Sequence, residues 1–202
     1  MLGPMNHQAA RQCHARLHAG RGVTIVELMV TLAILAVLLA VALPSMRDFI
    51  ARKRMEGVAQ ELLTDLRLLK SQQQLQNRRA VAISFGSTTD QTCYVLYFVG
   101  VNMPHCNCAA AADSVCGAAN IMGRPEQIRL VSVPRSTGVT ITANQRFIKL
   151  LGFDGLPEND TTLLALVESS QAGSIRVATN ELGRPSMCSV SGAFGSLVQC
   201  PP

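Results

Sequence analysis

The hydrophobic positions of this chain fall into three successive patterns. From Val23 to Leu43 an apolar run of 21 residues, VTIVELMVTLAILAVLLAVAL, carries a single charge, Glu27. About 20 such residues suffice for a helix to cross a bilayer. Beyond Pro44 the apolar positions spread out: Met55, Val58, Leu62, Leu66 and Leu69 recur every three or four residues, with Ala59 and Leu63 beside them. Arg, Glu, Asp and Gln fill the other face, so the spacing predicts an amphipathic helix that ends near Arg79. A continuous helix from Thr24 to Arg79 would be about 84 Å long at 1.5 Å per residue, its first half in lipid and its second packed on a soluble domain. A helix lying on the membrane surface fits less well, because the polar face mixes both charge signs.

Past Arg79 the pattern shortens to strand-like runs at Ala80–Phe85, Cys93–Val99, Gln127–Val133, Val139–Ala143, Phe147–Phe153, Leu163–Glu168 and Ser174–Thr179. Turn signals separate them, among them Gly86-Ser87-Thr88-Thr89-Asp90, Ser136-Thr137-Gly138 and Asp154-Gly155. One long helix followed by five to seven strands predicts an α+β fold, the helix packed on an antiparallel β headpiece.

The apolar run admits ordinary readings. Ala40-Val41-Ala42 matches the A-x-A cleavage pattern of a secretory signal, yet the run is longer than a 7–15-residue signal core and 22 residues precede it. As a plain anchor it has no clear orientation, since Arg11, Arg16 and Arg21 on one side face Arg47, Arg52, Lys53 and Arg54 on the other. A lipoprotein is disfavoured because Cys13 lies ahead of the run. None of these accounts for Glu27. An acid near the centre of a membrane helix costs roughly 2.5–3.5 kcal/mol, less near an end, and calls for a partner. A cut between Gly22 and Val23 would create an α-ammonium at the membrane boundary, which a neighbouring copy's Glu27 carboxylate could pair with.

Composition narrows the function classes. Of 202 residues, 48% are hydrophobic and 15% charged, which excludes wholesale disorder. With 4% aromatics and no Trp, a base-stacking platform is disfavoured. The formal charge of +5 includes three arginines and no acid in residues 1–22, so the remainder carries only +2 and is no polycation. Beyond Cys13, six cysteines remain: Cys93, Cys106, Cys108, Cys116, Cys188 and Cys200. An even set suits three disulfides and an oxidising compartment. Zinc is the competing reading, because His105, Cys106 and Cys108 cluster, but no C-x-x-C occurs and no other His follows residue 18. Cys106 and Cys108 are too close to pair comfortably with each other, leaving Cys93 and Cys116 as their partners in either order, and Cys188 with Cys200 to close the C-terminal tail. Catalysis is disfavoured: there is no His/Glu metal pattern, no phosphate-binding Gly loop and no G-x-S-x-G. The sequence therefore leads to no catalytic residue, no metal and no cofactor.

The stretch Arg21-Gly22-Val23-Thr24-Ile25-Val26-Glu27-Leu28 resembles the type III signal of type IV pilins and type II secretion pseudopilins. In that family a prepilin peptidase cuts after the glycine and N-methylates the new first residue. The resemblance thus implies processing at Gly22 and Val23, an assembly role for Glu27 as the fifth mature residue, and a helix-kinking Pro44. Val23 stands where the family usually has Phe. The implied parts are a cleaved leader (1–22), a transmembrane and filament-core helix (23–43), an amphipathic helix (44–79) and a β-rich periplasmic headpiece (80–202). The implied partners are other pilins or pseudopilins, the prepilin peptidase and the inner membrane.

Phe153-Asp154-Gly155, then Ser174-Ile175-Arg176-Val177 and Gly183-Arg184-Pro185, resemble the GspH/FimT branch, which holds a minor pseudopilin of type II secretion and the FimT and FimU minor pilins. Membership would make this a minor subunit, at a filament tip or at the start of assembly, of either a pilus or a secretion system. Some FimT-like proteins bind DNA through Gly-Arg-x-Arg. Gly183 and Arg184 match its first half and Ser186 replaces the second Arg. Arg176, Gly183 and Arg184 are accordingly the candidates for a duplex-DNA contact, with Arg146 and Lys149 expected on the same face beside a flexible tail.

Overall fold

A computed structural model describes residues 22–75, 79–101, 105–117, 122–151, 156–157, 162–192, 194–195 and 197–201. The first element is a helix, α1, over Ile25–Leu75. Thr24 caps it: its hydroxyl accepts from the Glu27 amide at 3.2 Å, and its carbonyl accepts the first helical bond from the Leu28 amide at 3.1 Å. Residues 76–78 lie outside the described residues, and Arg79 is not helical. Its side chain is ion-paired with Glu126 at 3.0 Å, with its guanidinium over the Phe98 ring. The chain divides into two compact units, Met1–Ala42 and Leu43–Pro202.

Among the described residues of the second unit, nine strands form two antiparallel sheets. The first contains β1 (Val81–Ser87), β2 (Gln91–Phe98), β3 (Glu126–Pro134), β5 (Phe147–Leu151) and β6 (Leu156–Pro157), in the order β3-β2-β1-β5-β6. The second contains β4 (Val139–Ala143), β7 (Leu164–Ser169), β8 (Gly173–Thr179) and β9 (Pro185–Ser191), in the order β4-β7-β8-β9. Every strand pair is antiparallel. All seven expected runs contain a strand, with described ends shifted by at most two residues. The last two residues of the expected run Phe147–Phe153 lie outside the described residues, and β6 and β9 are additional.

The principal core lies between helix and sheets. Met55, Ala59, Leu62, Leu63, Leu66 and Leu69 are buried with Ile83, Tyr94 and Leu96 of the first sheet and Ile141, Val167, Ile175 and Val177 of the second. Burying each large aliphatic side chain contributes about 1.5–3 kcal/mol, so this stripe holds the helix more firmly than its intrinsic propensity could. β8 shows the one-sided alternation, with Ile175, Val177 and Thr179 buried and the residues between them half-buried.

β2 differs: seven consecutive residues, Thr92–Phe98, are buried. Its Tyr94, Leu96 and Phe98 belong to the core shared with the helix. Cys93, Val95 and Tyr97 face the opposite way, into a second core with Ala82, Cys106, Cys108, Val115 and Cys116. The described residues 105–117 therefore form a cover for the outer face of the first sheet. Disulfides Cys93–Cys108 and Cys106–Cys116 fasten it, and the Ser84 hydroxyl donates to the Cys106 carbonyl. Burial pushes the Tyr97 hydroxyl up to about 12, and it lies 3.4 Å from His105 Nδ1. With both Cys106 and Cys108 oxidised, the zinc alternative loses its thiolates.

Cys188–Cys200 closes the third disulfide. The C-terminal segment is not a loose tail: the Ser189 amide donates to Val198 at 2.9 Å and the Cys200 amide donates to Ser189 at 2.9 Å, adding a parallel bridge to the outer edge of β9. An exposed edge that could pair with another chain is thereby covered.

Candidate functional site

Two groups of residues carry the functional expectations, and they lie in different units. The first surrounds the start of α1. Gly22 and Val23 are in non-helical backbone just before the Thr24 cap, and both are exposed. A side chain at Gly22 would meet nothing within 4 Å. Glu27 is exposed in the first turn, where its negative charge is favoured by the helix dipole. The sequence Thr24-Ile25-Val26-Glu27 is also an S/T-x-x-E capping pattern. Sequence reasoning passed over Thr24, although this spacing was the available signal. The stretch Ile25–Ala42 is long and apolar enough to cross a membrane, and none of it is buried. Continuous apolar exposure on this scale calls for lipid or for other helices. Pro44 falls within α1, and its side chain is outside the described residues.

The second group is at the β8–β9 hairpin. The Asn180 side-chain carbonyl accepts from the Leu182 and Arg184 amides at 3.1 and 2.8 Å, while the Gly183 amide donates back to the Asn180 carbonyl at 2.8 Å. Gly183 is buried with φ +63°, a left-handed conformation that side chains adopt at a cost. From the helix, Lys70 Nζ donates to the Leu182 carbonyl at 2.8 Å. Arg184 projects exposed from this fastened turn rather than from a flexible tail. Arg176 is half-buried on β8, in register with Cys188 of the third disulfide. Among the described residues neither arginine makes an ion pair. Lys149 is on β5 of the first sheet with Arg146 just before it, whereas Arg176 is on β8 of the second and Arg184 just before β9. Phe153-Asp154-Gly155 lies outside the described residues.

A buried polar cluster links helix and first sheet. The Tyr94 hydroxyl donates to Asp65 Oδ2 at 2.8 Å, Arg129 Nη1 approaches Asp65 Oδ1 at 3.2 Å, and Arg129 Nη2 reaches Glu61 at 2.6 Å. Burial raises the Asp65 carboxyl above the usual aspartate range, opposed by the Tyr94 hydrogen bond and the Arg129 charge. Burial likewise raises the Tyr94 hydroxyl, reinforced by Asp65. The evident role of these groups is to fix the helix on the sheet.

Residues 18–43 match the model of the prokaryotic N-terminal methylation motif, a span that includes Gly22, Val23 and Glu27 and ends at Leu43. The match covers the start of the chain and the apolar helix alone, 26 of the 202 residues. The crystal structure of the Pseudomonas aeruginosa (strain PAO1) type IV minor pilin FimU is similar over 70% of this chain and 98% of its own, with 16% identity and a TM-score of 0.45. No curated protein matches the chain.

Proposed function

We propose that the chain is a minor subunit of a type IV pilus, made as a precursor and cut between Gly22 and Val23. Val23 becomes the N-methylated first residue of the mature subunit. The helix holds the subunit in the inner membrane with the headpiece, from about residue 80 onward, in the periplasm. In the filament, Glu27 pairs with a neighbour's terminal ammonium and the apolar helices pack together, with Pro44 adjusting the path of the chain. The observation that carries this reading is the wholly exposed apolar stretch Ile25–Ala42, directly behind a processing motif. An ordinary secreted protein would discard such a segment, whereas a filament subunit buries it twice, first in lipid and then among its neighbours.

N-terminal sequencing of the mature protein tests the processing step: a start at Val23 supports it, and a start at Leu43 replaces it with a signal peptide. Glu27→Ala should leave insertion and cleavage intact and reduce incorporation into filaments. Unchanged incorporation would refute the pairing role. A minor pseudopilin of type II secretion uses the same machinery, and neighbouring genes distinguish the two settings.

One observation favours a second reading, a contact with duplex DNA: Arg184 stands exposed on a rigid turn, with Arg176 on the strand leading to it. Phosphate contacts need only clustered cations and weaken steeply with salt. A mobility shift of the detergent-solubilised full chain at low and moderate salt tests this. Equal binding by Arg184→Gln, or none by the parent, removes DNA from the function.

A further inference from the structure

A cavity of about 340 Å³ lies in the second unit, between the start of its helical part and two tight turns of the sheets. The helix contributes Arg47 and Arg54. Seven residues apart, they lie within about 20° of each other around the axis at 3.6 residues per turn. The turn before β4 contributes Ser136 and Thr137, and the β7–β8 turn contributes Ser169 and Gln171. No carboxylate lines the cavity, and Arg47 and Arg54 make no ion pair among the described residues. Asp48 follows Arg47, but about 100° round the helix. Two guanidiniums facing hydroxyl and amide groups, without an acid to neutralise them, suit an oxyanion. Arginine forks bind phosphate with short, charge-assisted hydrogen bonds.

The position of Arg47 in the chain identifies the source of the phosphate. It follows Ala42, the last residue of the membrane-length stretch, by five residues. Whatever path they take, five residues span at most about 17 Å, and the headgroup zone outside the hydrocarbon is about 5–7 Å deep on each side. Arg47 is therefore confined to the headgroup zone or just beyond it. We infer that Arg47, Arg54 and the two turns form a cradle for the phosphodiester of an anionic phospholipid. The cradle seats the headpiece on the membrane before the subunit leaves for the filament. This inference rests on the membrane anchoring proposed above.

Full-length protein in nanodiscs of phosphatidylcholine, with or without phosphatidylglycerol, tests it by hydrogen exchange. Amides of 136–138 and 169–171 should exchange about fivefold more slowly when phosphatidylglycerol is present. The double variant Arg47→Gln/Arg54→Gln should lose that protection. Arg52→Gln, about 140° round the helix from Arg47, should keep it. Equal exchange in the two lipids, with the chain inserted in both, overturns the cradle and leaves the anchoring intact. Equal protection by millimolar inorganic phosphate in phosphatidylcholine discs overturns the lipid as its source. A chain that fails to float with either lipid overturns the anchoring and the cradle together.

Discussion

The Tyr94 hydroxyl donates to Asp65 Oδ2 at 2.8 Å, and this bond joins the helix to the middle of the first sheet inside the principal core. Asp65 is one of few polar residues in that core, and Arg129 meets its other oxygen at 3.2 Å without hydrogen-bond geometry. A buried pair of this kind adds little net stability over an apolar replacement, but losing one partner leaves an uncompensated group. Its value is positional: only one rotation of the helix about its axis brings Asp65 to Tyr94.

The raised carboxyl gives a definite sign to the pH dependence. Because the folded value lies above the ordinary one of about 3.9, the folded state holds the proton more tightly than the unfolded chain. The contribution of Asp65 is therefore fully present below the unfolded value and is lost as pH rises to the folded value, then stays constant. Asp65→Asn removes this titration while leaving an acceptor for Tyr94. Denaturant unfolding of the detergent-solubilised chain across the acid range should show the parent gaining on the Asn variant as pH falls. Parallel curves would contradict the assignment.

Removing the cation isolates the other half of the cluster. Arg129→Met should raise the Asp65 value further and destabilise at neutral pH by about 1–3 kcal/mol, below the usual cost of breaking a buried pair because Arg129 is partly exposed. The loss should shrink on acidification as Asp65 takes up its proton. A loss that does not vary with pH would point to packing by the arginine stem instead.

What the sequence made legible follows physical range. The apolar run, the amphipathic stripe from Met55 to Leu69 and the positions of seven strands rest on periodicity, a local signal, and the structure has them. Arg79, taken as helical, is held instead by Glu126 and Phe98, both distant in sequence. β9 was missed because Pro185-Ser186-Met187-Cys188-Ser189-Val190-Ser191 is serine-rich with little apolar alternation, and its strand form comes from pairing with β8 and the disulfide. The double burial of β2 was likewise invisible, since it depends on a cover segment that carries no periodic signal. At the processing site the motif residues were legible one by one. The cap on Glu27 was legible too, in Thr24, but its role was overshadowed by the acid itself. The cradle of Arg47 and Arg54 needed the fold, because its two turns come from distant parts of the chain.

The third disulfide should matter locally before it matters globally. Cys188→Ser/Cys200→Ser opens a 13-residue loop, for which the chain-entropy model gives about 3 kcal/mol. Since Ser189 is bonded to Val198, its amide should exchange faster in the variant, while amides of β1 and β2 change only with global stability. Hydrogen exchange resolved by residue checks both. An unchanged Ser189 amide would mean that the tail is held without the bond.

Gly173 opens β8 with φ +108°, and a β-carbon there would lie 2.3 Å from the Ser191 carbonyl oxygen. Neither the angle nor the approach tolerates a side chain, and the obstacle is backbone. Gly173→Ala should therefore destabilise by more than about 2 kcal/mol. Gly57→Ala is the control: on the helix, with nothing within 4 Å, it should be neutral or stabilise by up to about 1 kcal/mol. Unfolding midpoints of the two variants give the comparison, and similar midpoints would contradict the backbone clash at Gly173.

The final prediction separates two roles that meet at Glu27. Its amide is held by Thr24 at 3.2 Å, so its backbone completes the first helical turn, whereas its carboxylate is exposed and, on the proposed function, awaits a neighbour. Thr24→Ala should cost about 1 kcal/mol of capping and speed exchange of the first-turn amides severalfold, with the carboxylate still present. Glu27→Gln keeps the amide bond and removes the charge. It should leave first-turn exchange near the parent's yet reduce filament incorporation. The ordering discriminates: if incorporation follows first-turn exchange across the two variants, Glu27 acts by shaping the helix start. If incorporation falls with the charge alone, it acts by pairing, as an acid held in the first turn of an otherwise apolar helix would.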